Sequence, residues 1–373
     1  MTAVAPHPPR IELHGIDHLE FWVGNARAFA AFLMSAFGFE PIAHAGPETG
    51  RRDRVSYLLR QGDVRFLVTG ALHSDSPVAE HVRQHGDGVR DIAFVVSDVD
   101  AAYTAALARG ATPFREPADD VDPEGNGTIR HAAIATYGET VHTFLDRSGY
   151  EGPFAPQFEA TTLLAPIGPT VGIERIDHVV ANVEEGTLEQ WVGYYEQVLG
   201  FDQLVHFSDD AISTEYSALM STVVWDGDRV VLPINEPAEG RRKSQIEEYL
   251  DYYGAPGVQH IALRTSDIVA SVRSLRDRGV RFLEVPATYY DEARERMGDD
   301  GSELPWERLA ELGILVDRDH EGYLLQIFTE CVTDRPTVFI EIIQREGARG
   351  FGEGNFKALF ESIEREQERR GNL

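Results

Sequence analysis

Cysteine is almost absent from this chain, which contains Cys331 and no other cysteine among its 373 residues. A single cysteine excludes a disulfide within the chain, and it excludes a metal site built from several thiolates. Because structural disulfides accumulate in oxidising compartments, we expect a reducing, cytoplasmic location.

Long apolar runs and basic residues are also scarce. No run of about 18 apolar residues occurs, and residues 1–9 lack the apolar segment of a signal peptide, so we expect no membrane span. The chain has 34 Lys and Arg against 62 Asp and Glu, and its formal net charge of -28 repels nucleic acids and anionic membrane surfaces. A small molecule is therefore the expected partner.

The length suits two or three domains, and 42% hydrophobic residues are enough for their cores.

Two pairs of similar segments indicate an internal repeat. Residues 15–23 read GIDHLEFWV and residues 175–183 read RIDHVVANV, and a helical stretch follows each. The longer pair consists of 88–99, GVRDIAFVVSDV, and 257–268, GVQHIALRTSDI. In both, an apolar strand ends at Ser-Asp, a helix N-cap signal, and Arg-Gly later ends the helix. The match in type, order and spacing predicts a tandem duplication with an α+β architecture.

The repeat sets the expected domain limits. We expect a first domain over 11–153, a linker over 154–172 and a second domain over 173–373. Four apolar side chains near the C-terminus share one helical face: Phe356, Leu359, Phe360 and Ile363. They predict a final helix that packs on the second domain.

Three residues of the second domain are candidate metal ligands because they interrupt apolar runs: His178, His260 and Glu341. His178 has a counterpart, His18, in the first domain, whereas the position of His260 holds Asp91 there. A carboxylate inside an apolar strand is costly unless it is paired or binds a metal. Two histidines and one carboxylate are typical of non-haem iron(II) sites with three open positions, although zinc and manganese accept the same ligand types. The alternative is that the three residues belong to separate buried hydrogen-bond networks.

Amide side chains also occur in apolar segments of the second domain: Asn235, Gln259 and Gln326. They indicate either satisfied core amides or the wall of a ligand pocket. Because successive side chains of a regular strand face opposite sides, Gln259 and His260 are not expected to reach the same space.

One histidine pair in the first domain has the spacing of neighbours on a helix. His81 and His85 are four residues apart. No third ligand is evident for them, so we expect both at the protein surface.

The motifs together resemble those of the 4-hydroxyphenylpyruvate dioxygenase family, within the vicinal oxygen chelate superfamily. The resemblance covers nearly the whole chain and is strongest from Ile176 onward. The segments that carry it are 176–178 (IDH), 216–221 (YSALMS), 232–237 (LPINEP), 243–246 (KSQI), 257–260 (GVQH), 289–291 (YYD), 313–318 (GILVDR), 325–329 (LQIFT), 335–345 (RPTVFIEIIQR) and 350–357 (GFGEGNFK).

The resemblance implies a particular fold and site. It implies βαβββ modules that form two open-barrel domains, a non-catalytic first half and a C-terminal lid helix. It implies one iron(II) per chain, held by His178, His260 and Glu341, with dioxygen as co-substrate. The pocket residues that it implies are Ser221, Pro233, Asn235, Gln245, Gln259, Gln326, Phe328, Phe351 and Phe356.

The implied activity is oxidative decarboxylation of 4-hydroxyphenylpyruvate with ring hydroxylation and side-chain migration. The products are homogentisate and CO2, a step of tyrosine catabolism, and the implied assembly is a homodimer or homotetramer. One alternative is 4-hydroxymandelate synthase, which hydroxylates the benzylic carbon of the same substrate; Pro233, Asn235 and Phe356 favour ring hydroxylation. Another is a metal-free small-molecule-binding protein of the same fold, which the intact set of pocket residues disfavours.

Overall fold

The computed structural model describes residues 8–161, 164–165, 167–207, 218–238 and 240–372. Residues 162, 163 and 166 of the expected linker, and residues 216 and 217 of the motif at 216–221, lie outside the described residues. Within the described part, no helix is both long enough and apolar enough to cross a membrane.

The described residues of the first half contribute nine strands to one mixed sheet. These strands are β1 (Ile16–Val23), β2 (Glu40–Ala45), β3 (Arg54–Gln61), β4 (Val64–Ala71), β5 (Gly88–Val95), β6 (Thr112–Val121), β7 (Thr128–Ala135), β8 (Val141–Asp146) and β9 (Glu159–Ala160). Their order across the sheet is β6-β7-β8-β5-β1-β4-β3-β2-β9.

The described residues of the second half contribute eight strands to a second sheet. These are β10 (Ile173–Asn182), β11 (Asp202–Phe207), β12 (Ala218–Trp225), β13 (Val231–Ala238), β14 (Gly257–Thr265), β15 (Leu315–Arg318), β16 (Tyr323–Phe328) and β17 (Phe339–Glu346). Their order is β11-β12-β13-β10-β14-β17-β16-β15.

Nine α-helices lie within the described residues. They are α1 (Ala26–Phe37), α2 (Pro77–His85), α3 (Val99–Ala108), α4 (Leu188–Tyr194), α5 (Gln245–Tyr253), α6 (Ile268–Asp277), α7 (Tyr289–Met297), α8 (Trp306–Leu312) and α9 (Phe356–Arg370). Helix α4 continues into a π-helical turn, Tyr195–Leu199.

Each sheet contains two βαβββ modules, and the first sheet also has β9, which pairs with β2. In each module the first strand pairs in parallel with the last strand. The first strands of the two modules pair antiparallel at the centre of the sheet, β1 with β5 and β10 with β14. The expected α+β class, with tandem βαβββ modules and a C-terminal helix, is therefore confirmed.

The duplication extends to the helix caps that the sequence predicted. The side chain of Asp98 accepts a hydrogen bond from Ala101 N at the start of α3, and Asp267 accepts one from Ala270 N at the start of α6, both at 2.9 Å. After each helix the chain turns through a glycine with positive φ, 100° at Gly110 and 87° at Gly279. A side chain at either glycine would be strained, which explains the repeated Arg-Gly.

One continuous apolar core includes residues of both halves. Polar contacts join the halves as well. The side-chain oxygen of Gln61 accepts hydrogen bonds from Val171 N at 2.9 Å and Ile173 N at 3.1 Å. The Tyr195 hydroxyl lies 2.8 Å from Nε2 of the buried His142. The two sheets are thus held in one packed unit.

Candidate metal centre and pocket

Three adjacent strands at the centre of the second sheet carry the candidate ligands. His178 lies on β10, His260 on β14 and Glu341 on β17. In the sheet register His178 and Glu341 flank the same residue, Ala262, and His260 is two residues from Ala262 on the same strand. Because side chains alternate along a strand, this register places all three on one face.

The ligand atoms converge. His178 Nε2 lies 3.1 Å from Glu341 Oε2, and His260 Nε2 lies 3.5 Å from the same oxygen. One potential ligand atom from each residue lies within 4.8 Å of the other two. Imidazole and carboxylate donors at these separations fit a single divalent transition metal.

The rear nitrogen of each imidazole is also held. Nδ1 of His178 lies 2.8 Å from Asp177 Oδ1, and Nδ1 of His260 lies 3.1 Å from Gln259 Oε1. A ring whose Nδ1–H donates to an oxygen presents the lone pair of Nε2 to the front, as metal-binding histidines generally do. Both histidines therefore present Nε2 to the carboxylate.

Burial and mutual charge set the protonation of the group. Burial opposes charge on His178, but the carboxylates of Glu341 and Asp177 outweigh it and raise the pKa of His178 to about 9. Burial lowers the pKa of His260. Burial favours a protonated Glu341, but the charge of His178 outweighs it and lowers the pKa of Glu341. The neighbouring His178 thus favours the charged form of the Glu341 carboxylate.

Asp177 and Arg345 form a positioning pair that the sequence analysis missed. Arg345 donates two hydrogen bonds to Asp177, from Nε at 2.9 Å and from Nη2 at 2.8 Å. It also donates to the Gly350 carbonyl at 2.5 Å. The pair fixes the rear of His178 and ties it to the segment before α9. The one sequence signal was the repeated Asp before His in both halves.

The expectation that Gln259 and His260 face different spaces is wrong. Between Val180 and Ala181 of β10, the partner residue on β14 changes from His260 to Val258. Gln259 is therefore an extra residue, a β-bulge, and a bulge re-aims side chains that a regular strand would separate. Both Gln259 and His260 line the same cavity.

A cavity of about 570 Å³ opens in front of the metal-ligand cluster. Eight of the pocket residues expected from the sequence lie in its wall: Ser221, Pro233, Asn235, Gln245, Gln259, Phe328, Phe351 and Phe356. Ser221 and Asn235 are direct neighbours across β12 and β13. Further apolar wall residues were not expected as such: Val180, Phe207, Leu219, Val223, Phe339, Leu359 and Phe360. Leu359 and Phe360 could have been found, because they share a helical face with Phe356.

Gln326 is not among the residues that line that wall. Its side chain is buried, and its Nε2 has no hydrogen-bond partner among the described residues. The amide lies against Gly352, where an added Cβ would collide with it. Gly352 has a φ of 77°, so both its conformation and the close approach require glycine.

Helix α9 covers the cavity and is anchored at both ends. Before it, Asn355 is fully buried and its Oδ1 accepts a hydrogen bond from Tyr289 Oη at 2.5 Å. In its middle, Ser362 Oγ donates to the Glu284 carbonyl at 2.7 Å. At its end, Arg370 Nη2 donates to Glu248 Oε2 at 2.7 Å. The 289–291 motif thus serves to hold the start of this helix.

The first half repeats the frame of the cluster but not its ligands. His18 lies 2.7 Å from Asp17, and Arg147 donates to Asp17 at 2.7 Å, as Arg345 does to Asp177. At the position of His260 stands Asp91, whose carboxylate accepts from Thr143 Oγ1 at 2.5 Å and Thr143 N at 3.1 Å. Asp91 is thereby satisfied by hydrogen bonds within its own sheet.

The expectation that His81 and His85 lie at the surface is wrong. The two residues are only 1% and 4% exposed, and the carboxylate of Glu139 lies beside both. His81 packs against Trp22 and His85 stacks on Tyr253 of the second half, contacts that the local sequence does not encode.

The fold and the cluster of His178, His260 and Glu341 define a class of protein. Proteins of this class have paired βαβββ modules and a candidate metal site of two histidines and one carboxylate. Two family models match, hydroxyphenylpyruvate dioxygenase, N-terminal, over residues 8–155, and the glyoxalase/bleomycin resistance protein/dioxygenase superfamily over residues 175–327. A 4-hydroxyphenylpyruvate dioxygenase of Dictyostelium discoideum is 48% identical over 97% of this chain and 100% of its own length. One of Yarrowia lipolytica is 45% identical over 96% of this chain and 93% of its own. The chain belongs to the 4-hydroxyphenylpyruvate dioxygenase family.

Solved structures share the fold of this chain. A variant of 4-hydroxymandelate synthase from Streptomyces coelicolor matches with a TM-score of 0.84 and 36% identity, over 96% of this chain and 99% of that one. A fusion of a xylose isomerase-like TIM barrel with 4-hydroxyphenylpyruvate dioxygenase matches with a TM-score of 0.73 and 23% identity, over 98% of this chain and 55% of that one. The second likeness supports the fold alone.

Proposed function

We propose that this chain is an iron(II)-dependent dioxygenase that converts 4-hydroxyphenylpyruvate and O2 into homogentisate and CO2. The observation that carries the proposal is the meeting of His178, His260 and Glu341 at the floor of an aromatic-walled cavity. Relatives that bear the name 4-hydroxyphenylpyruvate dioxygenase are 45–48% identical over nearly the whole chain, which supports the same substrate.

In this proposal His178, His260 and Glu341 hold one iron(II) per chain. When bound, iron(II) supplies Lewis acidity toward a 2-oxo acid and redox chemistry with dioxygen. The protein residues supply geometry: Asp177 and Gln259 fix the imidazole rings, and the sheet fixes the carboxylate. Because a coordinating imidazole must be neutral, metal binding would release any proton that His178 carries.

The pocket wall orients the substrate and excludes water. Phe328, Phe351 and Phe356 offer apolar surface to an aromatic ring, and such surfaces favour offset or edge contacts at about 4.5–7 Å between ring centres. Ser221, Asn235, Gln245 and Gln259 offer hydrogen-bonding groups to the phenol and the 2-oxo acid. Few polar groups in a mostly apolar cavity define one orientation of the ligand. Helix α9 acts as the lid that keeps water out.

The domain limits, the location and the assembly that the sequence predicts are part of this proposal. The first half, 11–153, is the non-catalytic domain because Asp91 and Thr143 bind each other there. The linker is 154–172, and the catalytic domain with its lid is 173–373. We propose a cytoplasmic homodimer or homotetramer, which light scattering tests directly: it should give two or four times the chain mass.

The second candidate is 4-hydroxymandelate synthesis, which the structural match at 36% identity brings into consideration. Both reactions share the substrate, so the cavity wall must decide which carbon is hydroxylated. Pro233, Asn235 and Phe356 lie in that wall. The higher identity to dioxygenases, 48% against 36%, favours ring hydroxylation.

The test is turnover of 4-hydroxyphenylpyruvate with iron(II), ascorbate and O2, followed by proton NMR of the products. The two candidate products are isomers, so mass alone does not separate them. We expect homogentisate as the main product, with zinc-loaded protein inactive as the control. 4-Hydroxymandelate as the main product would establish the second candidate, and no O2 uptake would refute both.

A further inference from the structure

A second cluster of potential ligands lies in the first half, where it meets the second. His81 and His85 occupy successive turns of α2, and Glu139 lies between β7 and β8. We call these three residues the α2 cluster. We propose that the α2 cluster binds one divalent zinc-type cation, separate from the iron site, at the junction of the two halves.

The distances suit a shared cation. His81 Nδ1 lies 2.7 Å from Glu139 Oε2, and His85 Nε2 lies 3.6 Å from the same oxygen. One potential ligand atom from each residue lies within 4.8 Å of the others. Zinc binds imidazole nitrogen and carboxylate oxygen at about 2.0–2.2 Å in a tetrahedron, which needs ligand atoms about 3.3–3.6 Å apart. The His85–Glu139 separation already fits this range, and the short His81–Glu139 contact has to open.

An unpartnered nitrogen atom gives an independent reason. Nε2 of His85 is buried and has no hydrogen-bond partner among the described residues. Nδ1 of His85 lies 2.7 Å from the Tyr253 carbonyl oxygen, to which it donates its proton. The lone pair of His85 Nε2 therefore faces Glu139 without a donor. A carbonyl behind the ring and a bare nitrogen in front is the arrangement of a metal-binding histidine.

Charge and access permit binding. Arg90 lies near the cluster and opposes a cation, but Glu139, Asp91 and Glu20 lie near Arg90 and offset its charge. The Glu139 side chain is 40% exposed, which leaves a route from solvent and room for water as a fourth ligand.

The proposed cation would join the two halves. The Tyr253 ring stacks on His85 at 4.7 Å between ring centres, and Tyr253 ends α5. Arg335 reinforces the same junction by donating to the Gln84 carbonyl at 2.6 Å and the Tyr252 carbonyl at 3.0 Å. The first residue of α5, Gln245, lies in the wall of the cavity. The site is therefore structural, and it braces a helix that shapes the pocket.

The test measures metal stoichiometry and requires no turnover. In a protein whose iron site is removed by His178→Ala and Glu341→Ala, we expect one equivalent of zinc by dialysis and metal analysis. Cobalt(II) in its place should give the absorption of a four-coordinate site. Adding Glu139→Gln or His81→Gln should weaken zinc binding by more than about 100-fold, because a direct ligand is lost. His73→Gln changes an exposed histidine just before α2 and should retain one equivalent.

Two results would overturn the proposal: no zinc retained by the iron-site variant at micromolar concentrations, or an unchanged equivalent after Glu139→Gln and His81→Gln. Thermal unfolding in the presence of a chelator shows whether each variant folds. Because two different ligands are changed separately, one misfolded variant does not decide the outcome. Since no step measures homogentisate, the outcome is independent of the proposed function.

Discussion

At the scale of single residues, His178 is held from behind by a buried carboxylate that itself needs a partner. Asp177 is nearly inaccessible, and burial alone would favour its neutral form. The hydrogen bond to His178 and the charge of Arg345 outweigh burial and hold the pKa of Asp177 far below its usual range. The metal site therefore depends on a residue that touches no metal.

We predict that Arg345→Gln destabilises the protein by about 3–5 kcal/mol, because it leaves a buried carboxylate without its cation. It should also weaken iron binding by about 10–100-fold, the usual effect of losing a group that orients a ligand. Chemical denaturation and iron titration measure the two effects.

Arg147→Gln is the matched control, because Arg147 binds Asp17 in the first half as Arg345 binds Asp177. Arg65 also reaches Asp17, at 3.1 Å, so the loss of stability should be smaller. Iron affinity should not change. An equal loss of iron affinity in both variants would show that Arg345 acts through general stability alone.

His142 gives a prediction about pH. Burial lowers its pKa to about 4, whereas the ordinary value is 6.5. Between these values the unfolded chain takes up a proton that the folded protein resists, so His142 lowers stability as pH falls from 6.5 towards 4. Above 6.5 both states are neutral and His142 contributes no pH dependence.

Replacing His142 with Gln should remove that contribution. The slope of the unfolding free energy against pH between 4 and 6.5 should become shallower by up to about 1.4 kcal/mol per pH unit. This is the slope that corresponds to the uptake of one proton on unfolding. Denaturant unfolding at several pH values measures the slope. Identical slopes for the variant and the parent protein would mean that folded His142 protonates freely.

Some of these residues were predictable from the local sequence, and others were not. His178, His260 and Glu341 were found because each breaks an apolar run, a local signal. The bulge at Gln259 depends on the register between two strands, which the sequence of one strand does not contain. His85 is covered by Tyr253, which lies 168 residues further along the chain. Local patterns identify chemistry, and tertiary packing decides exposure.

At the scale of elements, α9 is the segment whose position governs the cavity. Phe356, Leu359 and Phe360 on its inner face are part of the cavity wall. Its start depends on Asn355, which is fully buried and bound to Tyr289. The helix was predictable from its apolar face, but its anchors were not, because they join residues far apart in sequence.

We predict that Asn355→Ala loosens the start of α9. Losing this buried hydrogen bond costs about 1–3 kcal/mol, which makes opening of the lid roughly 5–150 times more frequent. Hydrogen exchange of residues 356–363 should accelerate accordingly. Glu368→Ala, an exposed change on the same helix, should leave exchange unaltered. Unchanged exchange in Asn355→Ala would mean that other contacts hold the helix.

At the scale of the whole molecule, duplication has produced two equivalent frames of which one carries the candidate ligands. The modules, caps and central bulges occur in both sheets. The Asp-His-Arg arrangement occurs in both as well, through Asp17, His18 and Arg147 in the first half. The first half then diverges at Asp91, whose carboxylate binds Thr143. Comparison of the two halves predicted this difference from the Asp91 that stands in the first half at the repeat position of His260.

We predict that iron binds in the second half alone, at His178, His260 and Glu341. The direct measurement is anaerobic iron(II) binding to His178→Ala and to its structural counterpart His18→Ala. We predict that His178→Ala weakens iron binding by more than about 100-fold and that His18→Ala keeps one equivalent at the parent affinity. Stoichiometric, unweakened iron in His178→Ala would contradict the account.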